Sequence, residues 1–109
     1  MLVVTRLRAP SPDLAAGDEL RRGLLHALEI LASKPGHVGG EVGRNVDDPT
    51  LWVLSTTWEH VGAYRRSLSA YDVKLHAVPT LSRAIDEPSA YEVVEPGTDL
   101  NIRETRSLG

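Results

Sequence analysis

Cysteine is absent from the 109 residues, which removes disulfides, thiolate nucleophiles and thiolate metal sites from consideration. No unbroken apolar run approaches the roughly 18 residues of a membrane span. The opening Met1-Leu2-Val3-Val4-Thr5-Arg6 lacks the basic segment and apolar stretch of a secretory signal. The expectation is a cytoplasmic protein with no membrane partner. An excess of one charge is missing as well. Twelve basic and 15 acidic residues give a formal net charge of −3, with both signs scattered along the chain. That balance argues against a nucleic-acid surface and leaves small molecules or proteins as partners. The four histidines, His26, His37, His60 and His76, show neither HxH nor HxxxH spacing, so no dedicated metal site is expected. Gly36, Gly39, Gly40 and Gly43 fit neither the dinucleotide nor the phosphate-loop spacing, and their expected use is a bulge or a close backbone approach. A Ser-His-Asp hydrolase is unsupported because there is no GxSxG elbow. No internal repeat occurs at a fixed period.

What remains is a readable alternation of strand and helix patterns. In Leu2 to Arg8, Val3, Thr5 and Leu7 share one face, while Leu2, Val4, Arg6 and Arg8 share the other. Ala9-Pro10-Ser11-Pro12-Asp13 breaks that strand. Leu20, Leu24, Ala27, Leu28 and Leu31 then recur at helical spacing, entering between Pro12 and Asp18 and stopping at Lys34-Pro35-Gly36. Ile30 falls off this stripe, a hint of a contact beyond the monomer. Two β runs follow, His37 to Val46 and Leu51 to Trp58, joined by the tight reversal Asp47-Asp48-Pro49-Thr50. The second run is too continuously apolar and β-branched for an edge, so it reads as a central strand.

After Trp58 the period becomes helical again, with Val61, Tyr64 and Leu68 on one stripe. A short segment from Val73 to Ala77 follows, capped by Asp72 and halted by Pro79. Ser89 to Glu95 supplies the last strand before Pro96-Gly97. The order βαββαβ is that of a ferredoxin-like α+β domain, a four-stranded antiparallel sheet with its helices on one face. One domain over 1–95 and a polar C-terminal tail over 96–109 are expected. The uncovered sheet face calls for a second layer, and the economical one is a homodimer.

Several short pieces of this chain, taken in order, resemble the antibiotic biosynthesis monooxygenase domain. They are Lys34-Pro35-Gly36, Val42-Gly43-Arg44, Asp48-Pro49-Thr50-Leu51-Trp52 and Thr57-Trp58-Glu59. The resemblance spans about Val3 to Glu95 and implies a dimeric α+β barrel with a helix-side pocket. It further implies either a cofactor-free oxygenase of small polyketide-like aromatics that uses molecular oxygen, or a haem binder that degrades haem. Trp58 and Tyr64, six residues apart, resemble a pair at the same spacing in the polyketide-oxidising relatives. There Trp58 would give a flat wall with an N–H donor and Tyr64 a hydroxyl for the substrate oxygen. Both read equally well as core aromatics.

Those relatives carry an asparagine four residues before the tryptophan, where this chain has Leu54. The substitutes for that amide are Arg6, Tyr71, His76 and Arg83. His76 is also the candidate proton acceptor, since a neutral imidazole near pH 7 can take a proton. Trp52 shares a strand face with Trp58 and could floor a pocket, though packing is its ordinary use. Arg6 and Arg8 suit an acidic substrate or a surface ion pair. Haem-degrading relatives use an asparagine in the first strand, but the asparagines here are Asn45 and Asn101. The leading expectation is therefore an oxygenase without metal or flavin. A non-catalytic small-ligand-binding dimer is the alternative, with haem binding third.

Overall fold

The computed structural model describes residues 1–100. Strand β1 (Leu2–Arg8) leads into helix α1 (Leu14–Ala32), then strands β2 (His37–Arg44) and β3 (Leu51–Trp58). Helix α2 (Val61–Leu68), a π-helical turn (Val73–Ala77), helix α3 (Val78–Leu81) and strand β4 (Ala90–Tyr91) complete the order. The sheet is antiparallel with strand order β2-β3-β1-β4, the ferredoxin-like arrangement expected from the sequence. β3 is central, as its composition required.

Strand alternation sorts residues onto two faces. Val3 and Leu7 of β1 and Trp52, Leu54, Thr56 and Trp58 of β3 are buried on the helix side. They meet Leu20, Leu24, Ala27 and Leu31 of α1 and Ala63 of α2. Gly40 lets α1 approach the sheet. A Cβ there would lie 2.7 Å from Leu28 Cδ1 and 2.8 Å from the Ser55 carbonyl oxygen. The ladder shifts register between His37 and Gly39, the bulge expected of this glycine run. Ile30 packs partly buried against the core, at the margin of the helix's buried face.

The β2–β3 turn is held by its side chains. Asn45 Oδ1 accepts from the amides of Asp47 and Asp48, and Asp48 Oδ1 accepts from the Thr50 amide and hydroxyl. Arg8 Nη1 donates to Asp48 Oδ2 at 2.7 Å, and the Thr50 hydroxyl first, with Arg8 second, holds the Asp48 carboxyl down at about 2.

Three local expectations change. Strand β4 is two residues long rather than seven because its partner runs out: Tyr91 pairs with Leu2, the first residue of β1. Val61 is 40% exposed, and the inner face of α2 is made by Ala63 and Ser67 with Tyr64 and Leu68 beside them. Pro79 does not end the helical segment. It falls in the first turn of α3, where a missing N–H costs no intrahelical bond. The expected polar tail lies outside the described residues from residue 101 onward.

Two glycine substitutions should move stability in opposite directions. Gly36 has φ +86°, and a Cβ there would collide with Ala63 Cβ, so Gly36→Ala should cost more than about 1 kcal/mol. Gly17 lies within α1 with only an ordinary 3.8 Å contact to Trp52, so Gly17→Ala should gain about 0.5–1 kcal/mol. Urea midpoints decide this, and shifts of the same sign in both variants would refute it.

Candidate active site

The site begins at the end of β3. Trp58 is 1% exposed, and its indole N–H donates to Thr56 Oγ1 at 2.9 Å, two residues back on the same strand face. The His37 ring stands edge-on to it, with centroids 5.1 Å apart and planes at 88°. Tyr64 of α2 also meets it, 5.6 Å between centroids and tilted by 54°. The glycine turn at Gly36 and the His60 cap of α2 set the distance between these elements. His60 Nδ1 accepts from the Ala63 amide at 3.1 Å, starting α2 immediately after β3. Burial pushes the Tyr64 phenol above its ordinary pKa, so at neutral pH it is a donor.

Tyr64 also faces a cavity of about 290 Å³ between the sheet and the later helices. Its apolar wall includes Leu68, Val78, Leu81 and Ile85, while Thr5, Ser82, Ser89, Arg6 and Glu87 supply polar groups. That volume lies near the lower end of ligand pockets, roughly 300–1,000 Å³. The cavity borders the edge of β1 left uncovered by the short β4. There the chain returns at two points only: the Ile85 amide donates to the Arg6 carbonyl, and the Val4 amide donates to the Ser89 carbonyl, at 2.8 and 2.7 Å. Between them Glu87 takes a forked grip from Arg6. Nε reaches both carboxylate oxygens at 3.1 Å and Nη2 reaches Oε1 at 2.6 Å. The pair raises the arginine's pKa and lowers the glutamate's, the hydrogen bond being the larger cause in each.

The residues singled out from sequence divide into three groups. Tyr64 and Arg6 line this one cavity, and Trp58 backs Tyr64 from behind without lining it. Trp52 and Leu54 are buried on the helix side of β3. Trp52 packs under Arg44, whose guanidinium carbon is 5.8 Å from the ring centroid, and it borders a separate depression near the start of α1. Tyr71, His76 and Arg83 lie elsewhere. Tyr71 is 79% exposed, exposed His76 meets His26 edge-on at 5.5 Å, and Arg83 reaches Glu19 of α1 at 3.5 Å.

Thr5 and Glu87 were missed by the sequence reading. Thr5 had a visible signal, a hydroxyl on the inward face between Val3 and Leu7, and it pairs directly with Leu54 across the ladder. Glu87 had none, because its partner lies 81 residues away.

The lining contains no histidine, and β1 contains no asparagine, so these residues do not fit a ligated haem. Among the described residues no cluster of three or more His, Cys, Asp or Glu is disposed to hold a metal ion, and no helix is long and apolar enough to cross a membrane.

A four-stranded antiparallel sheet with helices on one face makes this a ferredoxin-like α+β domain, with a cleft along the uncovered edge of β1. The sequence profile described as antibiotic biosynthesis monooxygenase matches residues 1–76, and the chain belongs to that family. No curated protein matches it. Among solved structures it resembles SnoaB, a cofactor-independent oxygenase from Streptomyces nogalater, at 18% identity and TM-score 0.67, over 89% of this chain and 95% of that one. A structure described as a putative antibiotic biosynthesis monooxygenase from Deinococcus radiodurans aligns at 21% identity and TM-score 0.66, over 95% of this chain and all of that one. At such identities the likeness establishes the fold.

Thr56→Val keeps the volume but strands the buried Trp58 N–H. The expected loss is about 1–3 kcal/mol with a changed indole fluorescence, measured by chemical unfolding. A variant as stable as the parent would show that this bond does not hold Trp58 in place.

Proposed function

We propose that this protein is a cofactor-independent monooxygenase that oxidises a small, electron-rich aromatic with molecular oxygen. The observation that carries this reading is the cavity walled by Tyr64, itself backed by Trp58, in a chain of the monooxygenase family. An anthrone-like ring would lie against Leu68, Val78 and Leu81. Removal of a proton from its acidic carbon leaves a carbanion whose charge spreads onto the ring oxygen. The Tyr64 hydroxyl, kept protonated by burial, is a fitting donor to that oxyanion. The carbanion passes one electron to oxygen, the radical pair combines to a peroxide, and loss of water gives the ketone. In sum, CH2 and O2 become C=O and H2O.

A second reading, a ligand-binding domain without turnover, draws on Leu54. It is 2% exposed and offers the cavity no amide. Under either reading we take the protein to be a homodimer. Leu2, Val4, Val53 and Thr57 alternate onto the sheet face opposite the helices, and a second copy would cover it.

Metal-stripped protein offered anthrones and hydroquinones should consume oxygen above the spontaneous rate. Tyr64→Phe should lower the enzymatic part by about 10²-fold, and Leu81→Trp, by filling the cavity, should abolish it. Trp58→Phe, run alongside, should also lower it. Absence of uptake with every compound, together with tight retention of one, would move the assignment to the ligand-binding reading. Sedimentation should give the mass of two chains for the parent and of one for Val53→Asp. A single-chain mass for the parent would remove the dimer.

A further inference from the structure

We propose that Thr5 is a second ligand-binding hydroxyl of the cavity: within the oxygenase reading on which this rests, Thr5 and Tyr64 together hold the one ring oxygen of the substrate. The substrate class is then an aromatic whose ring carries a carbonyl or phenolate oxygen, able to accept two hydrogen bonds at once.

The two faces of the sheet single this residue out. Thr5 stands opposite Leu54 in the β1–β3 ladder, on the helix side with Val3 and Leu7. Val3 and Leu7 are 3% and 0% exposed, whereas Thr5 between them is only half-buried and lines the cavity. The inward row of β1 is closed by its apolar members and opens at its one hydroxyl. A second copy covering the opposite face would leave that opening untouched. The other polar groups of the lining are already engaged or face away. Ser82 Oγ donates to the Pro79 carbonyl at 2.9 Å. The Val4 amide donates to the Ser89 carbonyl, one step beyond the pairs of Leu2 with Tyr91 and Val3 with Ala90, so Ser89 shares Val4's face, away from the helices. Arg6 shares that face too and is taken up by Glu87. On the helix side two hydroxyls of the lining remain, those of Thr5 and Tyr64, neither of them hydrogen-bonded to any described residue.

The surroundings of the pair decide what it can do. Leu68, Val78 and Leu81 make the apolar wall against which a ring lies, so the ring's oxygen is the part that needs polar partners. A carbonyl or phenolate oxygen has two lone-pair directions, and one donor from β1 and one from α2 can each take one. As the proton leaves the acidic carbon, charge gathers on that oxygen and both hydrogen bonds strengthen. Both donors are fixed beforehand, Thr5 by a β-branched side chain on a paired strand and Tyr64 by its packing on Trp58. Donors so fixed need no rearrangement when the charge appears, which is the condition for an effective oxyanion site. An ether oxygen, which cannot take up the charge, gains little from the second donor.

Binding of 4-nitrophenolate and of its methyl ether, 4-nitroanisole, to the full chain tests this without requiring oxygenation. Mildly alkaline buffer keeps the ligand ionised while Tyr64, raised by burial, stays protonated. Thr5→Val keeps the branched shape and removes the hydroxyl. It should bind nitrophenolate about tenfold more weakly and nitroanisole as the parent does. Thr5→Ser should restore most of the loss, and Thr5→Ala gives a second deletion of the hydroxyl should the valine variant not fold. With anthrone, Thr5→Val should lower oxygen uptake about tenfold or more, chiefly through kcat. Unchanged nitrophenolate affinity in a folded Thr5→Val, with Tyr64→Phe weakened, overturns the role of Thr5 and leaves the oxygenase reading standing. Equal weakening for both ligands makes Thr5 a packing residue and likewise overturns it. Selective weakening, with no oxygen uptake by the parent, supports the two-hydroxyl site and overturns the oxygenase reading. Binding of neither ligand by the parent overturns both.

Discussion

The pairing of β1 with β3 is the constraint on which the rest depends. It runs in unbroken register from Leu2 opposite Thr57 to Arg8 opposite Leu51. Because side chains alternate, this register decides at once that Val3, Thr5, Leu7, Leu54, Thr56 and Trp58 look toward the helices. A slip of β3 by one residue would turn Trp58 and Thr56 together to the open face and remove the wall behind Tyr64. A slip of β1 instead would bring Arg6 into the core in place of Leu7, an arrangement that would leave a guanidinium buried and unpaired. The register is therefore held from both sides, by the apolar face that must be covered and by a cation that must not be.

From that register the cavity follows almost as a remainder. β1 has two edges, and β3 takes one along its whole length. The other is only partly used, by two residues of β4 and by the bridge from Leu7 to Ala84. Between those contacts the chain leaves the edge, and the helical segment above leaves Tyr64, Leu68, Val78 and Leu81 facing the gap. The π-helical turn Val73–Ala77 contributes by burying Val73 and Ala77 in the core, while Asp72 at its start is tied to Lys34 at the end of α1 at 2.7 Å. The lid of the cavity is thus made from the part of the chain with the fewest sheet bonds.

This division explains what the sequence could disclose. β3 was legible to the residue because Leu51 to Trp58 is continuously strand-forming, and α1 ended where Pro35-Gly36 forbids continuation. Local period carries such features. The Trp58 and Tyr64 contact was legible too, since a strand end and the next helix leave few ways to place two large rings six residues apart. The length of β4 was not, because it depends on where β1 begins. Nor was the outward placement of His76, which depends on the phase of a π-turn that a 3.6-residue period cannot anticipate. Glu87 sat in a run, Asp86-Glu87-Pro88, that reads as a solvated connection, and its meaning comes from Arg6 at the far end of the chain.

The same reasoning bears on Leu54. An amide at that position would look onto the helix side of β3 and would need partners for its donor and acceptor atoms in a core that supplies few. Leucine avoids that cost and is buried cleanly. The polar groups of the cavity come from other elements, Thr5 of β1 and Ser82 and Ser89 of the later chain. Any hydrogen bond offered to a molecule in this cavity must then come from outside β3, and the Tyr64 hydroxyl of α2, kept protonated by burial, is placed to give it.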